Sequence, residues 1–154
     1  KIVDLDLLKT TADNGQNKVR VIQSNLNNPL AKASRSVFFL KKNFSAYSLL
    51  DVKLITGRTH QIRVHSKWIG HPLFNDPEYG GNKILKGTTF TKYRRFVENC
   101  FDLLPRQALH AKTLAFTHPK TKEWMEFDSE LPDDMKAVLE KWERYTSGRE
   151  LEDE

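Results

Sequence analysis

The sequence predicts an α+β fold, with a mixed, largely antiparallel sheet and helices packed on it. The first indication is that segments with alternating apolar residues come in pairs joined by short turns, as in antiparallel hairpins. The second is the helical spacing of apolar residues in segments 90–101 and 133–145. A chain of 154 residues with 38% hydrophobic residues supports one domain with a core. We expect that domain to span residues 1–148.

The composition limits the classes of function. The net charge is +5, no apolar run approaches the length of a membrane span, and no signal-peptide pattern opens the chain. The single cysteine, Cys100, excludes an internal disulfide and fits a reducing cytoplasm. We expect Cys100 to be a buried helix residue. Because the chain starts with Lys1 and not with methionine, we expect an excised piece or a processed form.

Turn signals and alternation place the elements of the first half. In chain order the predicted elements are strand 1–8, turn 14–15, strand 18–22, turn 25–29, strand 33–40, turn 41–45 and strand 46–55. In the last of these strands Leu50, Val52 and Leu54 alternate with their neighbours, which predicts a buried strand.

A strand–turn–helix junction follows. Gly57 permits a sharp turn, and Thr59 is the predicted N-cap of a helix that runs to about Ile69. Gly70 is the predicted stop. Arg58, Thr59, His60 and Gln61 form a polar turn at the helix N-terminus, where backbone N–H groups suit a phosphate. A capped turn with solvated side chains is the alternative.

The second half contributes two helices and a hairpin. The aromatic residues of segment 90–101 predict a buried helix face, with a base-stacking surface as the less favoured interpretation. Segments 109–117 and 123–128 predict a hairpin, and segment 133–145 a closing amphipathic helix that ends at Gly148. We expect residues 149–154 to be an acidic, disordered tail.

Basic residues concentrate in segment 83–95, which leads into the first of these helices and has no acid. A basic patch beside a functional junction is typical of a polyanion-binding protein, although a solvated basic face explains the charge equally well. The candidate cations are Lys83, Lys86, Lys92, Arg94 and Arg95.

Three neighbouring histidines, His60, His65 and His71, do not indicate a metal site. Their spacings of five and six residues differ from the three or four that place two ligands on one helix face. We expect His65 to be a structural, hydrogen-bonded residue. A hydrolase that uses His60 or His65 as a base lacks an evident nucleophile in the same block. Phosphate-binding glycine motifs are also absent from the sequence, so nucleotide cofactors have no support.

Two blocks of sequence carry a resemblance to a known family. The first is GRTHQIRVH at 57–65, with IGHP at 69–72 and DPEYG at 76–80. The second is RQALHA at 106–111, followed by LAFTHP at 114–119. Together they resemble the RluA-class pseudouridine synthases over residues 33–132. We therefore expect the C-terminal part of such a catalytic domain, with the first strands as a peripheral part of it.

The resemblance implies isomerisation of uridine to pseudouridine in structured RNA, without a metal or an organic cofactor. It implies an aspartate nucleophile in an HRLD-like motif, which this sequence lacks and which we expect upstream of Lys1. Arg63 matches the arginine that orients and ionises that aspartate. From spacing alone, Arg63 would form an ordinary ion pair along its helix.

The implied partner is RNA, with ribosomal RNA first and transfer RNA second. The implied RNA-binding residues are Arg58, Thr59, His60, Gln61, Lys83, Lys86, Lys92, Arg94 and Arg95. We expect the isolated chain to bind RNA weakly, to be inactive and to self-associate through exposed apolar surface. The alternative is a non-catalytic RNA- or ribosome-binding domain that keeps the scaffold.

Overall fold

A computed structural model describes residues 1–23, 27–87 and 90–150 of the chain. The elements are β1 (Ile2–Thr11), β2 (Asn17–Ile22), β3 (Lys32–Asn43), β4 (Ser48–Leu54), α1 (Gln61–Trp68), α2 (Thr91–Leu103), β5 (Thr113–Thr117), β6 (Trp124–Asp128) and α3 (Asp133–Glu150). A four-stranded antiparallel sheet has the order β2-β1-β3-β4, and β5 and β6 form a separate hairpin. The α+β prediction is therefore confirmed.

The first strand is confirmed and lies inside the sheet, and its place at the periphery of a larger catalytic domain stays a prediction. Strand β1 pairs with β2 on one side and with β3 on the other. The predicted turn at 14–15 is confirmed: Gly15 has a φ of 80° and donates its N–H to the Ala12 carbonyl. The predicted turn at 25–29 lies partly outside the described residues. In its described part, the Asn28 side chain accepts the N–H of Leu30 at 2.9 Å.

Strand β4 is an edge strand, and the prediction that it is buried was wrong. Leu50 and Leu54 are 37% and 46% exposed. They share a sheet face with Phe38, which is only 5% exposed, because Phe38 stands on β3, nearer the centre of the sheet. Alternation reports which residues share a face of the sheet. It does not report whether another element covers that face.

Two apolar clusters hold the fold together. The smaller one packs Val64 of α1 against Leu7, Val19 and Tyr79, and so fixes α1 on the sheet. The larger one joins α2 and α3 to the β3–β4 turn. Its buried members are Phe44, Tyr93, Val97, Cys100, Leu104, Met135, Val138 and Trp142.

The buried face predicted for α2 is confirmed for most of its residues, including Cys100 at 0% exposure. Phe90 is the exception. It is the N-cap residue of α2 and is 73% exposed, because it precedes the first helical turn and so lies off the buried stripe. Helix α3 continues through Gly148 to Glu150, past its predicted end, and residues 151–154 lie outside the described part.

The predicted hairpin in the second half is confirmed, although its first strand begins at Thr113 and not at residue 109. One face of this hairpin is apolar and uncovered: Leu114 is 61% exposed and Phe127 is 50% exposed. Among the described helices, none has the length and apolar character required to cross a membrane.

Candidate functional site

The turn between β4 and α1 is held by the side chain of Gln61, the first residue of the helix. Helix α1 begins at Gln61, and its N-cap is His60, in a left-handed conformation with φ 52° and no side-chain cap. Thr59 is therefore not the N-cap that the sequence predicted. The Gln61 amide oxygen instead accepts the N–H of Arg58 at 3.0 Å and the Thr56 hydroxyl at 2.7 Å. At the other end of the helix, Gly70 has the positive φ expected of a stop.

Gln61 is an interior residue, which does not fit its predicted contact with RNA. It is 3% exposed. Its amide nitrogen donates to the carbonyl of Arg35 at 3.0 Å and to the hydroxyl of Ser36 at 2.9 Å. Because both ends of the amide are bonded within the chain, Gln61 connects α1 to β3 and to the preceding turn.

Arg63 and Asp76 form a buried two-pronged ion pair. Nε of Arg63 donates to Oδ2 of Asp76, and Nη2 donates to Oδ1, both at 2.8 Å. The Asp76 side chain is 0% exposed and that of Arg63 is 11% exposed. Glu78 adds a second carboxylate, with Oε2 at 2.9 Å from Nη2 of Arg63. The partners follow the helix in sequence, so this is not the ion pair along α1 that spacing alone suggested.

The pair shifts both ionisations towards the charged forms. Burial alone would raise the pKa of Asp76. The hydrogen bond and charge of Arg63, with the N–H groups of Tyr79 and Glu78, outweigh burial and hold that pKa below its usual value. The hydrogen bond from Arg63 to Asp76 raises the pKa of Arg63 despite burial. The site therefore stabilises a fixed positive charge beside a carboxylate.

An aromatic ring and a histidine complete the cluster. The Tyr79 ring centroid lies 4.9 Å from Cζ of Arg63, close enough for a cation–π contact. The Tyr79 hydroxyl oxygen is 2.9 Å from Nδ1 of His60, and Oε2 of Glu78 is 3.9 Å from the same nitrogen. Burial, as the largest cause, raises the pKa of Tyr79.

The loop after α1 positions Asp76 through its own backbone. The Asp76 carboxylate accepts the N–H groups of Glu78 and Tyr79 at 3.1 and 3.3 Å. Gly81 donates its N–H to the Asp76 carbonyl at 2.7 Å. A Cβ at position 81 would collide with the carbonyl oxygen of Leu73, so only glycine fits this closure.

His65 is hydrogen-bonded, as the sequence predicted; it is also buried and connects α1 to the sheet. Its Nε2 lies 2.8 Å from the Ser34 hydroxyl, which itself donates to the Leu5 carbonyl at 2.6 Å. The Ser34 hydroxyl oxygen must therefore accept a hydrogen bond from the Nε2–H group. In the neutral ring Nδ1 then carries no proton, and it has no hydrogen-bond partner within the described part of the chain. Burial lowers the pKa of His65, so the neutral ring is favoured. The two histidines therefore have different partners: His65 contacts Ser34 of the sheet, and His60 contacts Tyr79.

Apart from the buried Gln61 and the half-buried His60, the predicted RNA-binding residues are exposed. Arg58 and Thr59 are exposed at the junction, and Nε of Arg58 donates to the Ala33 carbonyl at 3.1 Å. In segment 83–95, of which residues 88–89 lie outside the described part, Arg94 pairs with Glu98 at 3.2 Å. The other candidates in that segment, all exposed, are Lys83, Lys86, Lys92 and Arg95.

Sequence reasoning missed the partners of Arg63. Asp76 and Tyr79 stood in the DPEYG block that carries the resemblance, but no role was assigned to them. It also missed Arg106, which forms a two-pronged pair with Asp134 at 2.9 and 2.8 Å and ties the second block to α3. An arginine and a carboxylate inside the same motif would have been the available signal for Asp76.

Comparison with known proteins shows which proteins the chain is similar to in sequence. It is 39% identical over 126 residues to ribosomal large subunit pseudouridine synthase D of Vibrio vulnificus, covering 82% of this chain and 38% of that protein. It is 50% identical over 95 residues to an uncharacterised RNA pseudouridine synthase of Chlorobaculum parvum, covering 62% of this chain and 29% of that protein. This chain belongs to the RNA pseudouridine synthase family.

The chain spans about a third of the length of these curated relatives. No family model matches it. Two solved structures have a fold similar to that of this chain. Human RNA pseudouridylate synthase domain containing 4 aligns over 93% of this chain and 56% of its own, with a TM-score of 0.59 and 18% identity. Its human counterpart, domain containing 1, aligns over 90% and 51%, with the same TM-score and 24% identity.

Proposed function

We propose that the protein to which this chain belongs isomerises uridine to pseudouridine in structured RNA. The substrate class is ribosomal RNA, with transfer RNA as the second candidate. The observation that carries the proposal is the buried arginine at the strand–turn–helix junction, inside a segment similar to named pseudouridine synthases. An aspartate attacks the target nucleotide, at the ribose or the base, or initiates elimination. The N–C bond between uracil and ribose breaks, the uracil rotates, and a C–C bond to the ribose forms as the aspartate is released. The carbon that forms this bond loses a proton, and the freed ring nitrogen gains one. The target leaves its stack to reach the site.

Arg63 is the proposed holder of the aspartate. Within the described part of the chain, the hydrogen bonds and ion pairs of Arg63 use Nε and Nη2. Guanidinium has five N–H donors, so Nη1 can donate to a further carboxylate. Asp76 keeps the guanidinium plane fixed while that second carboxylate is bound. A fixed cation favours the ionised form of a nucleophilic carboxylate in a partly dry pocket.

His60 and Arg58 are the proposed RNA contacts closest to this centre. Both precede α1, and the ring of His60 is held by the Tyr79 hydroxyl at 2.9 Å. Gln61 holds the turn that presents them. The basic segment 83–95 would add phosphate contacts at a distance from the reacting base.

The decisive experiment assays a protein extended upstream to include the aspartate motif. We would measure pseudouridine formation in ribosomal RNA fragments and in transfer RNA, beside variants with that aspartate changed to Asn and with Arg63→Lys. Loss of turnover in both, with retained folding and RNA affinity, would support the assigned roles. Turnover that survives the aspartate change would overturn the mechanism. An extended protein that binds RNA but has no such aspartate would be a binding scaffold.

The isolated chain is proposed to bind RNA without turnover. Pseudouridine formation by the pure 154-residue chain would contradict this. We also propose that it self-associates, with a second copy covering the apolar face of the β5–β6 hairpin. On that face the rings of Phe116 and Phe127 stack at 5.9 Å and both are exposed. Sedimentation should detect dimers that Leu114→Thr weakens, and a stable monomer at all concentrations would refute the idea.

We place the whole protein in the cytoplasm. The support is the lone cysteine, which is free and buried, as suits a reducing compartment. Fractionation of cells that express a tagged, extended protein tests this, and recovery outside the cytoplasm would contradict it.

A further inference from the structure

A cleft lies beside the Arg63 cluster, along the outer edge of the sheet. It has a volume of about 460 Å³ and is lined by β1 and β2 on one side and by Lys67, Glu78 and Tyr79 on the other. Strand β2 ends the sheet at this edge, so within the described part of the chain one side of its backbone is not paired with another strand. The cleft shares Glu78 and Tyr79 with the cluster and is therefore continuous with it.

Three cations line this cleft without a carboxylate of their own. Lys18 and Arg20 come from β2, and Lys67 comes from the last turn of α1. All three are exposed. The ion pairs found in the described part of the chain do not include them. They therefore form an excess of positive charge in a concave, solvated position.

The only carboxylate in the lining is already bound to another residue. Oε2 of Glu78 lies 2.9 Å from Nη2 of Arg63. Tyr79, which is 7% exposed, provides an aromatic wall, and Nζ of Lys67 lies 6.0 Å from its ring centroid. A cleft with unpaired cations above an aromatic wall suits an anion attached to a planar group.

We propose that this cleft, formed by Lys18, Arg20 and Lys67, binds the phosphodiester backbone of the RNA substrate next to the target nucleotide. The inference rests on the proposed function, because it names where the RNA of that reaction leaves the Arg63 cluster. It extends the RNA-binding surface to β2, whose residues were not among the candidates from the sequence. The alternative source of the anion is a free inorganic phosphate.

The test compares two triple variants that remove the same charge. One is Lys18→Gln, Arg20→Gln and Lys67→Gln, and the other changes three exposed lysines outside the cleft, Lys53, Lys122 and Lys141, to Gln. Binding of a labelled RNA stem-loop would be measured by anisotropy over a range of KCl concentrations. Each lost phosphate contact should lower the slope of log Kd against log[KCl] by about one. The cleft variant should lose about two to three in slope and bind at least tenfold more weakly.

The outcomes separate this inference from the proposed reaction. Equal losses in both variants, or no loss in either, would overturn the cleft site, and so would a chain that does not bind the stem-loop. In those cases pseudouridine formation by the extended protein would still support the reaction. Conversely, cleft-dependent RNA binding without turnover in the extended protein would overturn the reaction alone. Full competition by millimolar inorganic phosphate would identify a free-phosphate site and overturn the RNA assignment.

Discussion

The guanidinium of Arg63 and the carboxylate of Asp76 lie in a two-pronged arrangement, with both N···O distances at 2.8 Å. Asp76 is fully buried and stands in a loop that closes on itself, so the partner of Arg63 has a fixed position. The helix supplies the cation, and the loop supplies the anion that orients it. The pair therefore stabilises the chain and also orients the guanidinium for its proposed role, and the two contributions can be tested separately.

Asp76→Asn should destabilise the chain by about 3 kcal/mol, because Arg63 loses its fully buried, two-pronged partner and keeps only the partly exposed Glu78. The measurement is the free energy of unfolding from urea denaturation. The matched control is Asp4→Asn, which breaks an ion pair with Arg35 whose side chains are both 53% exposed. That change should cost less than about 1 kcal/mol. Equal costs for the two variants would mean that Asp76 does not hold Arg63 in the way described.

His65 should make the chain less stable as the pH falls below neutrality. Burial lowers its pKa in the folded state, so the unfolded chain binds a proton first. The stability that neutral His65 contributes is complete above the unfolded pKa of about 6.5 and decreases as the pH falls through that value. The loss approaches about 1.4 kcal/mol per pH unit.

The comparison for this prediction is His65→Gln, whose amide can still donate to Ser34. Urea denaturation between pH 7 and pH 5 should give a smaller slope of stability against pH for this variant, about one proton less. The other four histidines remain in both proteins. An unchanged slope would mean that folding does not lower the pKa of His65.

Gln61→Glu should destabilise the chain by about 2 kcal/mol, although it changes only one group of the side chain. The variant loses both donors to β3 and places a carboxylate where the residue is 3% exposed. Gln16→Glu, in the exposed β1–β2 turn, is the matched control and should stay within about 0.5 kcal/mol. Thermal unfolding of the three proteins tests this. A tolerated Glu at position 61 would indicate that the side chain faces solvent, as an RNA contact would.

The thiol of Cys100 should not react with thiol reagents in the folded chain. The residue is 0% exposed, and burial raises the pKa of the thiol to about 11, with Lys141 acting slightly in the opposite direction. The reactive thiolate is therefore both scarce and enclosed at neutral pH. A colorimetric thiol assay should give one equivalent only after urea is added. Rapid reaction in native buffer would show that the α2–α3 packing opens.

The sequence predicted the elements of the fold well, because their signals are local. Helical spacing located α2, and alternation located the strands of the sheet. The exposure of Leu54 could not be predicted, since it depends on what lies beyond an edge strand. The end of α3 was also missed. Gly148 weakens a helix without stopping it when packing continues.

The candidate site was likewise predicted only in part. The block that contains Arg63 identified the residue, but its partner thirteen positions later depends on a loop whose shape is set by backbone hydrogen bonds. The same block placed Gln61 beside exposed residues in sequence. Only the packing of α1 on β3 turns its amide into the interior. The motifs thus identified residues of the candidate site, whereas tertiary contacts decide which of their side chains are accessible.

The left-handed backbone of His60 has a consequence for anyone who dissects this site by mutation. At φ 52° a side chain with a Cβ is strained, and glycine is not. An alanine scan would retain that strain while removing the ring, and a change in stability would be difficult to interpret. Glycine at position 60 relieves the backbone as it deletes the imidazole, so the comparison of His60→Ala with His60→Gly separates the two contributions.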